Sequence, residues 1–208
     1  MSAFATKHSD VIVVGTGAVG SAAMYYLAKN GVDVIGLDRF PVAHDKGSSH
    51  GQTRIIRLAY FEHPNYVPLL KRSFELWEEL EKVSGIELYT ESGLIQVGPP
   101  DGEIVAGVRE SAAMHNLTVE DVTQSDLKDF YPGFSIPHGM EAVFENRAGF
   151  LKVEKCIETF FLEMHFQSTR TPSIPERTHL NGITRSSPNF SRGSNIPIMF
   201  NLRFSERF

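Results

Sequence analysis

The sequence has one cysteine, Cys156, among its 208 residues, so no intrachain disulfide can form and a cysteine-rich metal site is excluded. A reducing compartment fits this usage, and Cys156 reads as a small buried hydrophobe. Clustered lysine or arginine is also lacking: 20 basic residues stand against 25 acidic ones, for a net charge of -5. That balance argues against nucleic acid and against an anionic membrane as partners. No apolar run approaches the length of a membrane span, and Met1 to Asp10 has no signal-peptide core. The expectation is an intracellular, cytoplasmic protein, or a peroxisomal one in a eukaryote. The eight histidines show no metal-ligand spacing, and no metal is expected.

What is present is an ordinary globular composition with a strong opening pattern. Asp10-Val11-Ile12-Val13-Val14 is a short β-branched run ending at glycine, read as a buried parallel strand. From Ala18 to Lys29 small and apolar residues recur at helical spacing, and Asn30-Gly31 stops the helix. Val32 to Leu37 is a second strand, closing a βαβ unit. Farther on, Val67, Leu70, Phe74, Trp77 and Leu80 mark one face of a helix over about 66–82. Residues 87–90 and 93–97 read as a hairpin, 103–115 as a helix, 119–122 and 141–144 as strands, and Val153 to Met164 as a last helix. The fold class is α/β: a Rossmann-like nucleotide-binding domain with part of a second α+β domain.

Gly15-Thr16-Gly17-Ala18-Val19-Gly20 sits between the first strand and the first helix, the context in which a glycine fingerprint carries weight. Gly15 allows the turn, Gly17 lets backbone approach a pyrophosphate, and Gly20 lets helix and strand pack closely. The helix N-terminus offers N–H groups and partial positive charge to phosphates. Asp38, at the end of the second strand, is placed to accept ribose hydroxyls; the competing reading is a solvated strand-end acid. The fingerprint alone leaves FAD and NAD open.

The loop Gly47-Ser48-Ser49-His50-Gly51-Gln52-Thr53-Arg54-Ile55-Ile56-Arg57 follows. If Thr53 starts a helical turn, Arg54 and Arg57 share a face and can hold a carboxylate through their planar forks. Two surface arginines beside an ordinary loop are the alternative.

Together, the fingerprint, Asp38, this loop, Tyr66-Val67-Pro68-Leu69, residues 73–80, Ser92-Gly93-Leu94 and residues 149–156 resemble the monomeric sarcosine oxidase and N-methyl amino acid oxidase family over about residues 9–164. The resemblance implies an FAD enzyme, monomeric, that oxidises the C–N bond of a secondary amine or amino acid, with O2 as acceptor and H2O2 as product. It implies a cofactor set of Gly15, Gly17, Ala18, Val19, Gly20, Asp38, Arg39, Ser48, Ser49, His50, Thr53 and Arg54. Arg54, Arg57 and His50 are the implied catalytic residues, with Arg57 pairing with the substrate carboxylate. Glu62 matches an acid that helps order the arginines, or is a solvated glutamate.

Family members are nearly twice as long, and the similarity fades at Met164. Residues 166–208 carry six Arg, no Lys and two acids, against 14 basic and 23 acidic residues before them, with seven Ser and four Pro. A flexible tail or a lost reading frame accounts for such a shift. The expected organisation is an FAD-binding region over 9–82, a partial substrate domain over 83–164, and an atypical tail over 165–208. On that resemblance the chain lacks the family's flavin-linking cysteine, a role Cys156 does not match. Weak non-covalent FAD binding with little turnover is then expected; a non-catalytic FAD-binding fragment and an NAD-dependent dehydrogenase are the other readings.

Overall fold

The computed structural model describes residues 8–169 and 198–202. Two compact units emerge: the described residues up to His50 together with those from Ile157 onward, and Gly51–Cys156. The arginine pair and the helix after it, grouped above with the nucleotide region, fall in the second unit.

In the first unit β1 (Val11–Val14), α1 (Ala18–Lys29) and β2 (Val34–Asp38) form the expected βαβ start, with β1 parallel to β2 and Val11 opposite Val34. Helix α1 ends at Asn30, and Gly31 takes φ +80, the left-handed geometry glycine accepts without a steric penalty. Met24, Tyr25 and Ala28 of α1 are buried with Val34 and Ile35 of β2. Each large side chain so buried contributes roughly 1.5–3 kcal/mol. Gly36 makes the close packing possible, since a Cβ there would lie 2.4 Å from Met24 Sδ. Strand β1 departs from the fully buried strand expected of it: Ile12 is 59% and Val14 82% exposed. Exposure alternates along the strand, so the face that carries Ile12 and Val14 is uncovered among the described residues.

The expectation for 165–208 lies mostly outside the described residues. Within them, α5 (Val153–Thr169) continues past Met164, and β9 (Ile198–Leu202) pairs antiparallel with β2. At these two places backbone structure stands where the composition of the tail predicts none. The apolar run Ile-Met-Phe-Asn-Leu supplies the strand pattern there.

The second unit has two three-stranded sheets. β3 (Arg54–Ile56), β8 (Gly149–Leu151) and β4 (Tyr89–Thr90) form one, in the order β3-β8-β4. β5 (Leu94–Gly98), β7 (Glu141–Glu145) and β6 (Glu120–Asp121) form the other, in the order β5-β7-β6. The expected hairpin of 87–90 with 93–97 is therefore not made: β4 pairs with β8 and β5 with β7. Gly93, at φ +70, donates its N–H to the Ala148 carbonyl and turns the chain between the two sheets. Helix α2 (Val67–Ser84) ends on Gly85 in the left-handed conformation, and α3 (Glu103–His115) ends on Asn116 in the same way. A short helix α4 (Gln124–Phe130), absent from the sequence reading, starts at a capping box of Thr123 and Asp126. Ala59, Val105, Val108 and Val143 form a core under α3, with Phe61, Leu117 and Val119 around it.

Candidate functional site: a cavity at a helix N-terminus and a caged arginine

Backbone geometry builds the first site. Gly15 has φ +88 and its N–H donates to the Leu37 carbonyl at 2.8 Å, which ties the turn to the end of β2. A Cβ on Gly20 would meet the Gly15 carbonyl oxygen at 1.8 Å, so only glycine lets α1 start this close to β1. Gly17 is the N-cap and has no capping side chain. The Ala18 N–H instead donates to Ser49 Oγ at 3.1 Å. The remaining N–H groups of the first turn have no partner within the helix.

In front of this N-terminus lies a cavity of about 310 Å³. It is lined by Gly15, Thr16, Gly17, Asp38, Arg39, Phe40, Ala43, His44, Gly47, Ser48, Ser49 and Ile157. Asp38 is the acid of its wall. Its Oδ2 accepts the Thr16 N–H at 2.6 Å and the Thr16 hydroxyl at 3.1 Å; its Oδ1 accepts the Phe40 N–H at 3.0 Å and lies 3.4 Å from His44 Nε2. Burial pushes this carboxyl up, but the Thr16 and Phe40 donors and the neighbouring His44 outweigh it and hold it below the ordinary range. The solvated reading of Asp38 is thus replaced by one in which the acid staples the glycine turn to the segment after β2. Among the expected cofactor residues, Gly15, Gly17, Asp38, Arg39, Ser48 and Ser49 line the cavity. Ala18, Val19 and Gly20 form the first turn of α1, with Val19 86% exposed. His50, Thr53 and Arg54 are exposed and do not line it.

The second site is Arg57. Thr53 does not start a helical turn: Arg54 opens strand β3, opposite Leu151, and the chain is extended to Ile56. β-branched Ile55-Ile56 favours the strand, so the shared helical face expected for the two arginines does not form. Arg57 follows the strand and is caged by its own downstream loop. Its Nη2 donates to both oxygens of Glu62, at 2.8 and 3.0 Å. Its guanidinium carbon lies 4.4 Å from the Tyr60 ring centroid and 5.2 Å from that of Phe61. Nε is buried and has no hydrogen-bond partner among the described residues.

Two residues here escaped the sequence reading. Glu145, 2% exposed at the end of β7, accepts the Leu58 N–H at 2.6 Å and the Ala59 N–H at 3.0 Å. Burial raises its carboxyl above the ordinary range, against the pull of those two amides and of the Arg57 charge. The signal was its phase in Glu-Ala-Val-Phe-Glu, two residues from buried Val143. His44 had no such signal, because its role depends on how the chain folds back to Asp38.

The profile of the FAD dependent oxidoreductase family matches residues 10–161. This chain belongs to that family. The family is one of FAD-dependent oxidoreductases, whereas the fingerprint alone left FAD and NAD open. The chain is 44% identical over 156 residues to a monomeric sarcosine oxidase of Bacillus sp. (strain B-0618), covering 74% of this chain and 40% of that protein. It is 39% identical over 150 residues to an N-methyl-L-tryptophan oxidase of Yersinia pestis (strain Pestoides F), covering 72% and 40%. The chain therefore spans about 40% of the length of these relatives. Among solved structures, NikD, described as an unusual amino acid oxidase essential for nikkomycin biosynthesis, shares the fold over 76% of this chain and 41% of its own, with a TM-score of 0.67 at 24% identity. L-proline dehydrogenase from P. horikoshii does so over 76% and 41%, with a TM-score of 0.63 at 23%. Among the described residues no helix is long and apolar enough to cross a membrane, and no three His, Cys, Asp or Glu side chains are grouped to hold a metal ion.

Proposed function

We propose that this chain provides the FAD-binding and carboxylate-anchoring part of an oxidase that acts on the C–N bond of N-methyl amino acids such as sarcosine. The donor set suits the cofactor: an α-helix N-terminus for the pyrophosphate, Gly15 and Gly17 to admit it, and Asp38 with Ser48 and Ser49 on the wall toward the ribose. Ser49 Oγ accepts the Ala18 N–H, a donor that a phosphate oxygen could take in its stead. FAD held there would accept the hydride equivalent lost from the carbon beside the amine nitrogen, and O2 would take up the two electrons to give H2O2.

The observation that carries the amino-acid reading is Arg57. A guanidinium set against the Tyr60 and Phe61 rings, with a buried Nε that has no acceptor among the described residues, suits a planar anion. Glu62 balances its charge until one arrives. The chain's own residues thus bind and orient the carboxylate end, leaving the N-methyl amine as the reacting end. The similarity to a sarcosine oxidase and an N-methyltryptophan oxidase supports the same substrate class.

The experiment is titration of the FAD-loaded protein with sarcosine and with an N-methylalkylamine lacking the carboxylate, followed by the flavin absorption band. Sarcosine perturbs the band, the amine does not, and Arg57→Met abolishes the response. An equal response from Arg57→Met, or from both ligands, overturns the reading.

A further inference from the structure

The Arg57 loop is bonded from outside at Leu58, Ala59 and Tyr60 and closely packed at Phe61. Glu145 of β7 takes the amides of Leu58 and Ala59. The Ser111 hydroxyl of α3, fully buried, donates to the Tyr60 carbonyl. Gly107, one turn earlier on α3, lies under Phe61: a Cβ there would meet the Phe61 carbonyl oxygen at 2.3 Å. Ala59 is fully buried between these supports. Tyr60, Phe61 and Glu62 are the residues that cage the guanidinium.

From this geometry we infer that Glu145 is a positioning residue for anion recognition at Arg57, setting the loop so that the guanidinium is held ready before any ligand arrives. A carboxylate buried to this degree is costly to retain for stability alone, because an apolar residue of similar size would fill the space without desolvating a charge. Both its oxygens are spent on consecutive backbone amides, an arrangement that fixes a direction of the chain rather than filling volume. The direction fixed is that of the segment leaving Arg57. A glutamine could accept only one of the two N–H groups and would turn its own NH2 toward the other. The loop would then lose one charge-assisted bond and keep a buried amide unpaired. The inference rests on the proposed role of Arg57 only for the identity of the anion.

The test uses protein labelled with 15N-arginine, with the Arg57 Nε–H resonance assigned by its loss in Arg57→Lys. Without ligand, the parent gives a single resonance displaced from those of exposed arginines; in Glu145→Gln it moves into the exposed envelope. On titration with sarcosine the parent resonance shifts saturably, and Glu145→Gln weakens the apparent affinity by about tenfold, the worth of one charge-assisted hydrogen bond. FAD fluorescence quenching stays unchanged, a result that loss of the fold would not give. Should Glu145→Gln fail to fold, Ser111→Ala removes a neighbouring support of the same loop and produces the same displacement to a smaller extent. An Arg57 resonance unmoved in every folded variant overturns the positioning role. A parent resonance that is displaced but deaf to sarcosine, with Glu145→Gln still collapsing it, overturns the carboxylate reading and leaves the positioning role standing.

Discussion

Replacing Gly20 with alanine puts a methyl group 1.8 Å from the Gly15 carbonyl oxygen, 2.9 Å from the Gly15 carbonyl carbon and 3.3 Å from Val13 Cγ1. Ordinary contact is about 3.5 Å, so the nearest approach is roughly 1.7 Å too short. The obstacle is backbone, not the end of a flexible side chain, and the Gly15 turn is itself tied to Leu37. Relief therefore requires α1 to lift from β1, which also disturbs the packing of Met24 on Gly36. Overpacking of this kind costs about 1–3 kcal/mol, and a rigid obstacle belongs at the upper end. For a chain of this size about 3 kcal/mol lowers Tm by roughly 6–12 °C. Thermal unfolding followed by circular dichroism reads this directly, with Gly133→Ala as the control, since nothing lies within 4 Å of a Cβ at Gly133. The control should melt with the parent. A Gly20→Ala protein that melts within about 2 °C of the parent refutes the claim that glycine is required for the close start of α1.

Asp38 gives a pH dependence. Its folded value lies below the ordinary 3.8, so its contribution is fully present above that value and is lost as pH falls through the folded one. Acid melting curves of the parent should fall more steeply below about pH 4 than those of Asp38→Asn; parallel curves would show that the Thr16 and Phe40 donors do not favour the charged form. The Cys156 thiol, 4% exposed and pushed up by burial to about 12, should resist a thiol-specific reagent at neutral pH in the folded protein and react on unfolding. Rapid reaction of the native protein would contradict its burial.

The βαβ start was legible in the sequence because its cause is local: a β-branched run, glycines at fixed spacing and a helix with one apolar face. Helix α3 was placed at 103–115 and is found there for the same reason. Strand pairing was less accessible. The segment 87–90 was matched to its neighbour 93–97 by proximity, whereas Gly93 diverts the chain and β4 finds β8, nearly sixty residues on. Arg54 and Arg57 were recognised as a pair, but the helical turn meant to align them is a strand, since Ile55 and Ile56 prefer extended backbone. Glu145 and His44 act on partners distant in sequence or across a fold of the loop. No local pattern distinguishes a glutamate that will meet two backbone amides from one that will meet water, except the phase of its strand.

The central claim is that the cavity before α1 holds FAD through the backbone of the glycine turn, and fluorescence titration of FAD with the protein tests it most directly. Gly17 is the informative variant: a Cβ there would lie 3.2 Å from Ser49 Oγ and meets no backbone atom within 4 Å, so Gly17→Val crowds the approach to the helix N-terminus at that hydroxyl. The account predicts saturable quenching by the parent and a loss of affinity of at least about tenfold in Gly17→Val, with Tm nearly unchanged. Quenching of equal affinity by both proteins, or none by a folded parent, would contradict it.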